Sequence, residues 1–109
     1  MEVPFEVIEE HQNDTTVVVV RGEIDIMTAP TLLDHLKASI GPEQWDSTVD
    51  LREVGFLDST GLGVLVTTQK RCREHGGSLR LVINSERILR VFEITGLTAH
   101  FEIVESIGS

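Results

Sequence analysis

Four consecutive valines, Val17–Val20, constrain this 109-residue chain more than any other stretch. β-Branched side chains lose rotamer freedom in a helix and fit a pleated surface. An unbroken apolar run, as opposed to an alternating one, marks a strand buried on both faces. "TVVVVRGEID" is therefore expected as an interior strand, with a neighbour on each edge. One neighbour precedes it: "VPFEVIEE" sets Val3, Phe5 and Val7 on one side and charge on the other, the period of a half-buried strand. "NDTT" between the two has turn chemistry, so the pair reads as an antiparallel hairpin with a loop of about four residues or slightly more.

Downstream the period changes. In "MTAPTLLDHLKASIGP" the residues Leu32, Leu33, Leu36 and Ile40 fall on one helical stripe. Thr28 is placed to cap it, Pro30 suits the first turn, and Gly41-Pro42 ends it. "STVDLREV" is a third strand. Leu62, Leu65, Val66 and Cys72 then keep helical spacing, interrupted by Gln69, until Gly76-Gly77 stops the run. "SLRLVIN" is a fourth strand. "SERILRVFEITG" is a third helix with Asn84 or Ser85 as cap, Ile88, Leu89 and Phe92 inward, and Gly96 in the left-handed C-terminal position. "HFEIVE" closes the chain as a strand. The order β-β-α-β-α-β-α-β predicts an α/β fold in which strands joined through a helix run parallel by right-handed crossovers. The helices should pack on a small mixed sheet, and the length predicts one domain over residues 1–109.

A net charge of −9 argues against nucleic acid, whose affinity comes from Lys and Arg neutralising phosphates, and against anionic membrane surfaces. An acidic surface steers in basic protein partners, and it also serves plain solubility. Cys72 is the single cysteine, so no internal disulfide forms, and no CxxC or His/Cys cluster suggests a metal. Its place within a helix reads as a buried thiol. "MEVPFEVIEE" lacks the basic start and apolar run of a signal peptide, and no apolar run reaches the ~20 residues of a membrane span. A cytoplasmic location is expected.

The chemistry concentrates in "GFLDSTGLGVLV", residues 55–66. A serine nucleophile needs a base within hydrogen-bond reach. The sequence order gives no reason to place His11, His35, His75 or His100 beside Ser59, and the strained G-x-S-x-G turn is absent. An aspartic-protease loop would need to occur twice, so that two carboxylates share a proton. A phosphate-binding loop needs lysine and hydroxyl after its last glycine, whereas Gly63 precedes Val64-Leu65, and the third glycine of GxGxxG is missing.

Two readings stay open. Asp, Ser and Thr are good helix caps, and "DST" before an apolar helix can be capping alone. The alternative is that the loop is a target: a serine in a first helical turn is exposed, and free N–H groups and the helix dipole there tolerate a phosphate. Gly61 and Gly63 favour the second reading. Each forfeits about 1 kcal/mol relative to alanine, and both would bare the first turn to another protein.

"VDLREVGFLDSTGLGVLV", "GGSLRLVINSERILRVFEITGL", "GEID" and "ITGL" together resemble the bacterial anti-sigma factor antagonists, single-domain members of the STAS family, over nearly the whole chain. The resemblance implies a non-catalytic domain without a cofactor. It implies binding to an anti-sigma factor that is a GHKL-type serine kinase, and so release of a sigma factor. That kinase would phosphorylate the serine directly after the aspartate, here Ser59, causing release, and a PPM-type phosphatase would restore it. Asp25 matches a family position beside the phosphoacceptor, and Asp58, Thr60, Gly61, Leu62 and Gly63 match the rest of the binding surface. Thr60 stands where many relatives carry a second serine, which makes it the alternative acceptor. The rival expectation within the family is a module that binds a small ligand or nucleotide, or a scaffold in a signalling assembly.

Overall fold

A computed structural model describes residues 3–12 and 14–107. Its elements are β1 (Glu6–Gln12), β2 (Thr15–Ile24), α1 (Ala29–Ser39), β3 (Ser47–Leu57), α2 (Ser59–Glu74), β4 (Leu79–Val82), α3 (Glu86–Ile94) and β5 (Glu102–Val104), in the expected order. The five strands form one sheet in the order β1-β2-β3-β4-β5, with β1 antiparallel to β2 and every later pair parallel. Right-handed crossovers that all step the same way stack their helices on one face. Burial agrees. Val18, Val20, Val49, Leu51 and Leu81 share one core with Leu32 and Leu36 of α1, Leu62 and Leu65 of α2, and Ile88 and Phe92 of α3.

The valine block splits between the two faces. Val18 and Val20 enter that core, while Val17 and Val19 lie on the opposite face and are still only 2% and 9% exposed. Their partners in register are Glu10 and Ile8 on β1 and Thr48 and Asp50 on β3, so cross-strand side chains, and not a second helical layer, shield them.

Several boundaries differ from expectation. β1 begins at Glu6, and Val3 lies outside it, 57% exposed. The arm before β1 passes over Gly22, where φ is +99° and a Cβ would sit 3.0 Å from Phe5 Cα. The hairpin is tighter than expected: Gln12 pairs with Thr15, leaving only positions 13 and 14 between the strands. Thr15 and Thr16 read as turn residues, yet their β-branched side chains join the ladder; Asp14 takes φ +65°, and Asn13 lies outside the described residues. Thr28 occupies the N-cap of α1 without capping it. Its hydroxyl turns back to donate to the Glu23 carbonyl at 2.7 Å. Ser85 caps α3 by accepting from the Ile88 N–H, and Gly96 takes the left-handed φ of +75°.

β3 runs three residues past the expected Val54, through two register shifts against β2. At the first, the Arg52 N–H donates to Asp50 Oδ1 at 3.0 Å, and Nη2 reaches Asp50 Oδ2 at 2.8 Å. Such bulges bend a strand and increase its twist. Here they lie just before Asp58 and Ser59.

Gln69 does not break the buried stripe of α2. It is 3% exposed, and its amide donates to the His100 carbonyl, tying α2 to the chain leading into β5. Cys72 on the same helix is fully buried, and burial pushes its thiol above the usual range. The thiolate is the reactive form, so a neutral thiol reagent should label Cys72 no faster than the protein unfolds. Labelling that completes at the rate of a free thiol in native buffer would contradict this.

Candidate partner-binding and phosphoacceptor site

The ends of β2 and β3 stand side by side, Ile24 opposite Leu57, and the Asp58 N–H donates to the Ile24 carbonyl at 3.2 Å. That bond joins the β2–α1 loop to the start of α2, at the carboxyl ends of parallel strands, where open α/β sheets hold their functional groups.

Asp58 is the N-cap of α2. Its backbone is extended, and Oδ1 accepts from the Thr60 N–H at 2.9 Å and the Gly61 N–H at 3.1 Å. Ser59 is therefore the first helical residue, exposed, and its hydroxyl makes no hydrogen bond among the described residues. Capping falls to the aspartate, which leaves the serine hydroxyl free. Thr60 is exposed as well.

Asp25 organises the neighbouring loop in the same manner. Its Oδ1 accepts from the Met27 N–H at 2.9 Å and the Thr28 N–H at 3.1 Å, and its carbonyl accepts from the Ala29 N–H at 2.8 Å. Glu23, Asp25 and Asp58 make no salt bridge among the described residues. Glu23 and Asp25 share a groove with Arg52 and Arg87.

Two of the expected contact residues turn inward. Leu62 is 4% exposed within the core. Gly61 is buried, and a Cβ there would lie 2.5 Å from both Ile24 Cγ2 and Leu57 Cδ1. The helical phase explains it: 61, 62 and 65 share the core face, while 59, 60 and 63 face out. Gly61 and Leu62 seat α2 on the sheet, and the outward surface consists of Asp25, Asp58, Ser59, Thr60 and Gly63.

The glycines therefore have separate uses. At Gly63 an added Cβ meets nothing within 4 Å. Gly63→Ala should stabilise the fold by up to about 1 kcal/mol through helix propensity. Gly61→Ala gains the same propensity but overpacks a stiff Ile24, at a cost of about 1–3 kcal/mol, for a net loss of about 1 kcal/mol. Urea titrations of the two variants should move in opposite directions; a shared direction would mean the phase is wrong.

Three of the N–H groups at the start of α2, where a phosphate was expected to be tolerated, are already occupied. Those of Thr60 and Gly61 go to the Asp58 side chain, and that of Leu62 goes to the Asp58 carbonyl. A phosphate on Ser59 would project outward beside Asp58. Its effect would fall on whatever docks there.

No histidine hydrogen-bonds Ser59 among the described residues. His11 lies on β1 against Glu9, and His75 stacks on Trp45 with ring centroids 3.9 Å apart. No group of three or more His, Cys, Asp or Glu that could hold a metal occurs among the described residues. Likewise no described helix is long and apolar enough to cross a membrane. Ile26 and Met27, which no sequence motif marks, stand exposed in the loop that holds Asp25. Their signal was an apolar pair that belongs to neither the β2 alternation nor the α1 stripe.

Comparison with known proteins places this geometry. A family model for the STAS domain matches residues 6–109. The chain is 42% identical over 90 residues to the anti-sigma-B factor antagonist of Bacillus subtilis (strain 168), covering 83% of this chain and 81% of that one. A crystal structure of an anti-sigma factor antagonist from Mycobacterium paratuberculosis superposes with a TM-score of 0.88 at 28% identity, covering 98% of this chain and 92% of that one. The Bacillus cell fate determinant SpoIIAA in its phosphorylated form shares the fold, with a TM-score of 0.69 at 20% identity over 93% of this chain and 91% of that one. The chain belongs to the STAS family.

Proposed function

We propose that this protein is an anti-sigma factor antagonist: a non-catalytic binding domain that captures an anti-sigma factor and is released when Ser59 is phosphorylated. The observation that carries the reading is the division of labour at the start of α2. Asp58 satisfies the helix N-terminus and leaves the Ser59 hydroxyl exposed and unengaged. Relatives named antagonists, and a chain of the same fold in a phosphorylated form, support it.

The partner is a GHKL-type serine kinase that uses its own ATP, and a PPM-type phosphatase resets the switch, both in the cytoplasm. The domain contributes no cofactor and no base. It presents Asp25, Asp58 and Gly63 as contact surface, Ser59 as acceptor, and Thr60 as the neighbouring hydroxyl that remains unmodified. Phosphorylation adds about −1.5 to −2 charges beside the Asp58 carboxylate. Like charges brought together at an interface cost several kcal/mol.

The test is displacement. Unmodified protein added to a preformed complex of sigma factor and anti-sigma kinase from its own host, with ADP present, should free the sigma factor. Protein phosphorylated at Ser59 should not. Equal release by both forms would remove the switch; release by neither would remove the antagonist reading.

A further inference from the structure

Five large apolar side chains are strongly exposed among the described residues, and two of them are consecutive: Ile26 at 70% and Met27 at 81%. Single exposed apolar residues are ordinary, but an adjacent pair on a loop next to a candidate switch is not. Phe56, 45% exposed on β3, pairs with Glu23. Neither Ile26 nor Met27 belongs to the core, so the fold gains little by keeping them apolar.

The pair is also held still. The Asp25 carboxylate takes the Met27 and Thr28 N–H groups, the Thr28 hydroxyl ties back to the Glu23 carbonyl, and the Asp58–Ile24 bond fixes the loop against Ser59. An apolar loop already in one conformation loses little entropy on binding, which is the condition for an efficient anchor. Burial in a partner's pocket would make such side chains interface hot spots, and methionine adapts readily to the pocket it enters.

We propose that Ile26 and Met27 are the apolar anchor by which the anti-sigma kinase grips this protein, entering an apolar socket. Arg52 and Arg87 line the groove beside Glu23 and Asp25, so the charge around the loop is mixed and the exposed pair itself supplies the apolar contact. The occupant is the kinase because any protein that reaches Ser59 must cover the loop bonded to it. The proposal rests on the function proposed above and adds which side chains supply its affinity. It also explains how one phosphate can act strongly: it would sit beside the contact that must be desolvated.

The experiment is a binding titration of the host's GHKL-type anti-sigma kinase with wild type, Ile26→Ser/Met27→Ser, Ile26→Thr/Met27→Gln and Ser59→Glu, with thermal melts of each. Both double variants should melt within a few degrees of wild type and bind about 30-fold more weakly, mainly through faster dissociation. Binding within threefold of wild type by either folded double variant, while Ser59→Glu loses affinity, would overturn the anchor and leave the switch standing. Wild-type binding by Ser59→Glu would instead remove the switch. Sedimentation of the protein alone checks the other occupant. A dimer dissolved by the double substitution would assign the pair to a second copy of this chain and overturn the proposal.

Discussion

Ser59→Glu is expected to bind the anti-sigma factor about 100-fold more weakly than wild type, and Ser59→Ala to bind as tightly as wild type without being released by ATP. The magnitude follows from charge. A carboxylate at position 59 joins Asp25 and Asp58 at a surface that must be desolvated on binding, and opposed like charges there cost several kcal/mol. At about 1.4 kcal/mol per tenfold, roughly 3 kcal/mol is more than two decades in affinity. The alanine variant is a clean comparison because Asp58, and not Ser59, caps α2, so removing the hydroxyl leaves every first-turn hydrogen bond in place. Both variants should melt near wild type. Calorimetric titration decides the matter, and equal affinity for wild type and Ser59→Glu would sink the switch.

Phe92→Ala carries the largest expected loss of stability, about 3–5 kcal/mol. Phe92 is fully buried in α3 and meets Phe101 edge-on, ring centroids 5.6 Å apart. With five aromatic residues in the chain, nothing of similar size stands ready to refill the space. A domain of this size has about 5–15 kcal/mol in total and loses about 4–8 °C of melting temperature per kcal/mol. The variant should therefore melt about 15–30 °C lower, with an unchanged denaturant m-value. A loss under 1 kcal/mol would show that α3 is not packed as described. Phe92 is fully buried against Phe101 and presents nothing at the surface around Ser59, so the variant should still bind its partner at temperatures where it is folded.

The architecture was legible in the sequence because the apolar period changes cleanly between elements. Val17–Val20 and the stripe Leu32, Leu36, Ile40 cannot exchange roles, and β-β-α-β-α-β-α-β follows from that alternation. What was not legible depends on partners distant in the chain. Thr15 and Thr16 look like turn residues until Gln12 and His11 pair with them. Gly55 looks like the end of a strand, yet β3 continues through it, because a register shift absorbs the extra residue.

The candidate site was half legible. Ser59 and its setting between strand and helix could be read directly. The competition among Asp58, Ser59 and Thr60 for the cap could not, since all three residue types serve and only the backbone conformation of Asp58 settles it. Gly61 and Leu62 belonged to the core by helical phase, a count that includes the Leu62 and Leu65 used to find the helix. The family motif includes both residues, and their place in it is accounted for by packing once the phase is counted. Ile26 and Met27 escaped because exposure of a loop residue has no local sequence period.

The most direct test of the central claim is intact-mass analysis and site mapping of this protein after incubation with ATP and the anti-sigma kinase that binds it. The account predicts one added phosphate, on Ser59, with loss of the complex as it accumulates. A phosphate on Thr60 alone, or a complex that persists with Ser59 fully phosphorylated, would contradict it.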